Sequence, residues 1–116
     1  MKKTILITGA SSGIGKATAL YFQAQGWNVV ATMRNPDAAV ELKQLDNVLI
    51  VPMDVLDVDS IEHAVSLGIN HFGTIDVLLN NAGYGAYGPL ESFKREQILR
   101  QFNTNVIGLL DVTKAI

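Results

Sequence analysis

The sequence predicts an α/β fold, a doubly wound parallel sheet with helices on both faces. Three observations predict it. Short apolar runs alternate with segments of helical periodicity. The runs are continuously apolar, as strands buried on both faces require. A glycine-rich loop joins the first run to the first helical segment.

The elements follow in order. Ile5-Leu6-Ile7 is the first strand and ends at Thr8-Gly9. After the loop Gly9-Ala10-Ser11-Ser12-Gly13-Ile14-Gly15, residues Ile14, Ala17, Thr18, Tyr21 and Phe22 recur at helical spacing, and Gly26 stops that helix. Val29-Val30-Ala31 is the second strand. Asn35-Pro36 opens a second helix, with asparagine as cap and proline at the first helical position. Val48-Leu49-Ile50-Val51 is the third strand, with Pro52 and Asp54 just past it. Asp57 caps a third helix whose apolar face is Val58, Ile61, Val65 and Ile69. Val77-Leu78-Leu79 is the fourth strand. A last helix carries Ile98, Phe102, Leu109, Val112 and Ile116 on one stripe, widened by Leu99, Val106, Leu110 and Thr113. Right-handed crossovers favour a doubly wound arrangement, with the expected order third, second, first, fourth strand.

With 116 residues the chain has room for one domain, not two. A net charge of −2 gives no pull toward nucleic acid or an anionic membrane. No stretch approaches the roughly 18 apolar residues of a membrane span. The apolar start is too short for a secretory leader. The absence of cysteine excludes disulfides and thiolate metal sites and fits a reducing, cytoplasmic setting. The acidic run Asp54, Asp57, Asp59 lacks the glycine and final glutamate of a calcium loop, and His63 and His71 read as surface residues, so no metal is expected.

A strand, a glycine loop and a helix in succession make an anion site. The helix N-terminus supplies free N–H groups and a positive dipole end, and Gly9, Gly13 and Gly15 keep side chains out of the way. Ser11 and Ser12 add hydroxyl donors. A phosphoryl-transfer loop is the competing reading, because Gly15-Lys16 mimics its end. That loop needs glycine where Ala10 stands and serine or threonine where Ala17 stands.

Thr8-Gly9-Ala10-Ser11-Ser12-Gly13-Ile14-Gly15 resembles the T-G-x-x-x-G-x-G loop of short-chain dehydrogenases/reductases. Asn80-Asn81-Ala82-Gly83 resembles that family's N-N-A-G motif, Asn105-Val106-Ile107-Gly108 its N-V-x-G segment, and Asp54-Val55 its acidic site after the third strand. The resemblance covers the whole chain and implies the N-terminal part, residues 1–116, of a single Rossmann-like dinucleotide-binding domain. It implies a hydride-transferring oxidoreductase acting on a small alcohol or carbonyl substrate. It further implies that Gly9, Ser11, Ser12, Gly13, Ile14 and Gly15 cradle the pyrophosphate and ribose. Asp54 would accept from the adenine amino group beside Val55, and Asn81, Ala82 and Gly83 would lie along the cofactor. Asn105, on the apolar stripe, would hold a water in the proton relay; a core amide satisfied by backbone is the compatible plain alternative.

Val30-Ala31-Thr32-Met33-Arg34 offers no acid for a ribose 2′-hydroxyl and one arginine for a 2′-phosphate, which favours NADP over NAD. The resemblance also implies a tyrosine acid/base with a lysine four residues on, and a serine. Gln25, Gly88 and Glu91 follow Tyr21, Tyr84 and Tyr87 at that distance, so no tyrosine has its lysine, and the resemblance implies that all three catalytic residues fall beyond Ile116. A non-catalytic dinucleotide-binding module acting through a partner therefore stays open. Tyr84 and Tyr87 could line a substrate pocket or simply pack. The uncapped final helix, the apolar fourth strand at an edge and the broad last stripe lead to the expectation of a chain cut before its domain is complete, or of a homo-oligomer.

Overall fold

The computed structural model describes residues 2–84 and 88–116. Gly85, Ala86 and Tyr87 lie outside the described residues, and with them the expectation for Tyr87. Four parallel strands form one sheet: β1 (Thr4–Ile7), β2 (Asn28–Met33), β3 (Val48–Pro52) and β4 (Val77–Leu79), in the order β3-β2-β1-β4. This is the expected order. Leu6 sits opposite both Val30 and Leu78, which sets the register of β2, β1 and β4.

The strand period of two splits the apolar residues between two faces. Ile5, Ile7, Val29, Ala31 and Met33 join Ala19 and Leu42 in one core, beneath α1 (Gly13–Ala24) and α2 (Val40–Lys43). Leu6, Val30 and Val51 join Ile61, Ala64, Val65 and Val112 in the other, beneath α3 (Val58–Phe72) and α5 (Gly108–Ala115). Continuous apolar runs are what a sheet covered on both faces demands. Pro52 closes β3 opposite Met33, tolerated because β3 is an edge strand.

The helices depart from the sequence reading in four places. In α1 the buried residues are Gly15 and Ala19, while Ile14 is 76% exposed and Tyr21 62%. Small residues face the sheet here because α1 lies too close for large ones. In α3 the buried face is Ile61, Ala64, Val65 and Gly68, and Val58 and Ile69 stand outside it. Gly68 takes that place because a Cβ there would meet Val30 at 3.1 Å.

The second helix is broken. A 3-10 turn over Pro36–Ala38, with the Asn35 side chain accepting from the Asp37 N–H, precedes the four-residue α2. The last helix is interrupted too. α4 (Arg95–Phe102) and α5 are joined by a π turn over Asn103–Ile107. The extra residue in that turn shifts the helical phase, so the expected single stripe does not form. Val112 is buried, whereas Leu99, Phe102, Val106, Leu110 and Ile116 are exposed. The Asp57 cap forms as expected, accepting from the N–H groups of Asp59 and Ser60. Among the described residues no helix is long and apolar enough to cross a membrane.

Candidate functional site

Chain connections leave β1 toward α1 on one face and reach β4 from α3 on the other, so a crevice opens beyond the carboxyl ends of the strands. It is a cleft of about 560 Å³. The segments after all four strands line it: Gly9, Ser11, Ser12 and Ile14 after β1, Arg34 after β2, Asp54 and Val55 after β3, and Asn81, Ala82 and Gly83 after β4. Of the residues the sequence singled out, Gly13, Gly15 and Asn105 do not line it.

Gly15 acts from beneath. A Cβ there would collide with the Gly9 carbonyl oxygen and come within 2.5 Å of Asn81 Nδ2. The first turn of α1 can therefore approach the end of β1 only with glycine at this position. Gly9 itself has φ +66°, and a Cβ on it would lie 3.0 Å from Ala82 Cα. The loop is thus pressed against the β4 loop.

Ser12 occupies the N-cap of α1 in extended geometry but makes no side-chain cap bond, and the first turn holds no acidic residue. Lys16 N–H is the first to bond back, to the Ser12 carbonyl. The N–H groups of Gly13, Ile14 and Gly15 precede that bond, so the positive end of α1 is neither capped nor neutralised by its own sequence. Lys16, which mimics a phosphoryl-transfer lysine in the sequence, instead pairs with Glu41 at 2.8 Å.

The opposite wall is tied to the loop by side chains. Thr8 Oγ1 accepts from the N–H groups of Asn81 and Ala82, each at 2.9 Å, and Asn81 Nδ2 donates to the Gly9 carbonyl at 3.0 Å. Asn105, at the centre of the π turn, clamps the next residue. Its Oδ1 accepts from Tyr84 N–H at 3.0 Å and its Nδ2 donates to the Tyr84 carbonyl at 2.6 Å. A Cβ on Gly83 would lie 2.7 Å from Asn105 Oδ1. Asn80 Nδ2 reaches the Thr113 hydroxyl at 3.1 Å.

Asp54 is half-buried, and its Oδ1 accepts from Leu56 N–H at 2.9 Å, which fixes the loop after β3. Ser60 Oγ, at the start of α3, lies 3.0 Å from the Asp54 N–H as acceptor and 2.9 Å from the Asp54 carbonyl as donor. Arg34 is exposed and makes no ion pair with a described residue.

The cleft also contains residues the sequence reading passed over: Met53, Leu56, Arg100 and Thr104. Nothing in strand or loop patterning marks Arg100 and Thr104, because they sit on a helix remote in sequence. Their separation of four residues, with Gly108 four further on, is the only signal that they share a face. Thr8 was visible only as the threonine before the first glycine.

A family model described as short chain dehydrogenase matches residues 3–116. An uncharacterised oxidoreductase of Schizosaccharomyces pombe is 56% identical over 84 residues, covering 72% of this chain and 36% of that protein. Among solved structures, an actinorhodin polyketide ketoreductase variant with NADPH superposes with a TM-score of 0.93 at 32% identity, covering 98% of this chain and 46% of the other. A 3-ketoacyl-(acyl-carrier-protein) reductase from Brucella melitensis complexed with NADH gives 0.92 at 33% identity, covering 97% and 47%. The chain thus spans less than half the length of these relatives.

Proposed function

Because the chain belongs to the short-chain dehydrogenase family, we propose that it forms the dinucleotide-holding part of an oxidoreductase that moves a hydride between NADP(H) and an alcohol or carbonyl compound. One observation carries this reading: the uncapped N-terminus of α1 opens beside a glycine-rich loop at the mouth of the cleft. The fit to a dinucleotide is good on the same grounds. The cleft has room for an extended ligand, and the loop passes where only glycine avoids collision.

The residues then divide the cofactor between them. The amides of Gly13 to Gly15, with the hydroxyls of Ser11 and Ser12, hold the pyrophosphate and the adjacent ribose. Arg34 meets the 2′-phosphate, and no acid in β2 opposes it. Asp54 offers its carboxylate to the adenine amino group, and Val55 packs beside it. Asn81, Ala82 and Gly83 line the path toward the nicotinamide. Once bound, the cofactor supplies a hydride acceptor or donor on its nicotinamide ring.

Asn105 and Thr8 set the position of the β4 loop that carries this path. We assign Asn105 a place next to the reacting end, where its clamp on Tyr84 keeps the loop fixed. None of Tyr21, Tyr84 and Tyr87 has a lysine four residues on, so these residues offer no tyrosine–lysine pair for the acid–base step. The NADPH and NADH complexes of the similar reductases support a nicotinamide cofactor. A module that binds dinucleotide without turnover is the second reading, favoured by that missing tyrosine–lysine pair.

Calorimetric titration of the protein with NADPH and NADH tests the proposal. Binding of both, with NADPH the tighter, is the expected result. No binding of either removes it. Oxidation of NADPH by ketone substrates then separates the enzyme from the module.

A further inference from the structure

We propose that Arg100 stacks its guanidinium on the adenine of the bound dinucleotide and so sets affinity for the cofactor's adenosine half, an inference that rests on the cofactor reading above. The placement of α4 carries it. The helical segment from Arg95 to Ala115 is held against the cleft at two points. Asn105 bonds both polar groups of the Tyr84 backbone. Gly108 lies against Val55 so closely that a Cβ would come within 2.7 Å of the Val55 carbonyl oxygen. Gly108 thus anchors the helix to the loop that carries Asp54.

Thr104 and Arg100 lie four and eight residues before Gly108, and both line the cleft together with Asp54, Val55 and Leu56. Arg100 is exposed and has neither an ion pair nor a side-chain hydrogen bond among the described residues. No ion pair joins it to Asp54; the pairs among the described residues are Lys16–Glu41 and Lys43–Asp37. Arg100, a cation without a partner among the described residues, thus shares the cleft with Asp54 and Val55, the residues assigned to adenine above.

The residues that line the cleft with it, Asp54, Val55 and Leu56, assign Arg100 to the base rather than to a phosphate. A guanidinium is planar, weakly hydrated and well suited to lie on an aromatic face. The Asp54 carboxylate meets the ring at its edge, which leaves the face to a group approaching from α4. Arg34, on the loop after β2, serves the ribose phosphate. The two arginines thus have separable effects: Arg34 discriminates between NADPH and NADH, and Arg100 strengthens both alike.

The experiment measures dissociation constants of NADPH, NADH and AMP for the protein and for Arg100→Met and Arg100→Lys. The exposed position lets both variants fold, and unfolding midpoints without nucleotide verify this. Both variants should bind all three nucleotides about three- to tenfold more weakly, with the NADPH-to-NADH ratio unchanged. The dissociation constant of nicotinamide mononucleotide should not move. Unchanged affinities in Arg100→Met overturn the proposal, and so does full recovery in Arg100→Lys, which keeps the charge without the plane. A loss confined to NADPH assigns Arg100 to the 2′-phosphate and also overturns it. If the unaltered protein binds none of the nucleotides, the cofactor reading fails first, and that result is distinct from all the others.

Discussion

The hydroxyl oxygen of Thr8 accepts the main-chain N–H of Asn81 at 2.9 Å, across 73 residues of sequence. The same oxygen accepts from Ala82. A single buried side chain thus satisfies two donors just beyond the end of β4 and holds the two loops that flank the crevice. Thr8→Val keeps the shape and removes the acceptor. Two partly buried N–H groups then lose their partner, at about 1–3 kcal/mol each before water enters. Urea unfolding should show a loss of about 2–4 kcal/mol, and Thr8→Ser should recover most of it. An unchanged midpoint for Thr8→Val would mean that the loops are held by something else.

Gly15→Ala should be far more damaging than Gly13→Ala. At Gly15 the added methyl meets two fixed groups, the Gly9 carbonyl and the Asn81 amide, so α1 must retreat from the sheet. At Gly13 nothing lies within 4 Å, and the cost is the φ of +58°, about 1–2 kcal/mol. Nucleotide affinity should fall at least about a hundredfold for Gly15→Ala and by less than about tenfold for Gly13→Ala; an overpacked core commonly costs about 1–3 kcal/mol or more. Equal losses would contradict the steric account.

Cofactor choice should respond to the end of β2. Met33 is 3% exposed and lines the cleft beside Arg34. Arg34→Ala removes a charge-assisted partner of a 2′-phosphate and should weaken NADPH by about tenfold or more, with NADH little changed. Met33→Asp should go further and repel the phosphate while accepting from a ribose hydroxyl. Paired titrations of both variants read this directly, and a ratio that does not move refutes the role of Arg34.

The strands were legible because burial on both faces leaves a continuous apolar signature. Val77-Leu78-Leu79 matches β4 residue for residue. Strand order followed from the doubly wound arrangement that right-handed crossovers favour. Helix faces were less legible, because hydrophobic periodicity assumes that the large apolar residues face inward. In α1 the inward positions are Gly15 and Ala19, chosen for closeness to the sheet, and Ile14 points out at the cleft mouth. The π turn over Asn103–Ile107 has no periodic signature at all, and it determines which of Thr104 and Asn105 reaches the cleft and which reaches the Tyr84 backbone. The loop residues of the site stood out because glycine, asparagine and aspartate at strand ends have few other reasons to cluster. Arg100 gave no such signal, since an arginine on a polar helix reads as solvated surface.

Asn105→Asp distinguishes a clamp from a general polar requirement. The amide satisfies Tyr84 twice, once as acceptor and once as donor. Aspartate keeps the acceptor but sets an anionic oxygen against the Tyr84 carbonyl, so one of the two bonds becomes repulsive. Because Tyr84 is 41% exposed, water can relieve part of this, and the loss of stability should stay near 1 kcal/mol. The loop from Asn81 to Tyr84 should nevertheless lose its fixed position, and where NADPH oxidation by ketones is measurable kcat should fall by about tenfold or more while NADPH affinity changes little, because the pyrophosphate and adenine contacts lie elsewhere in the cleft. Asn105→Ala, which removes both bonds without adding charge, should slow turnover comparably. If Asn105→Asp keeps full turnover with the Tyr84 contact broken, the clamp has no part in the reaction and Asn105 serves the fold alone.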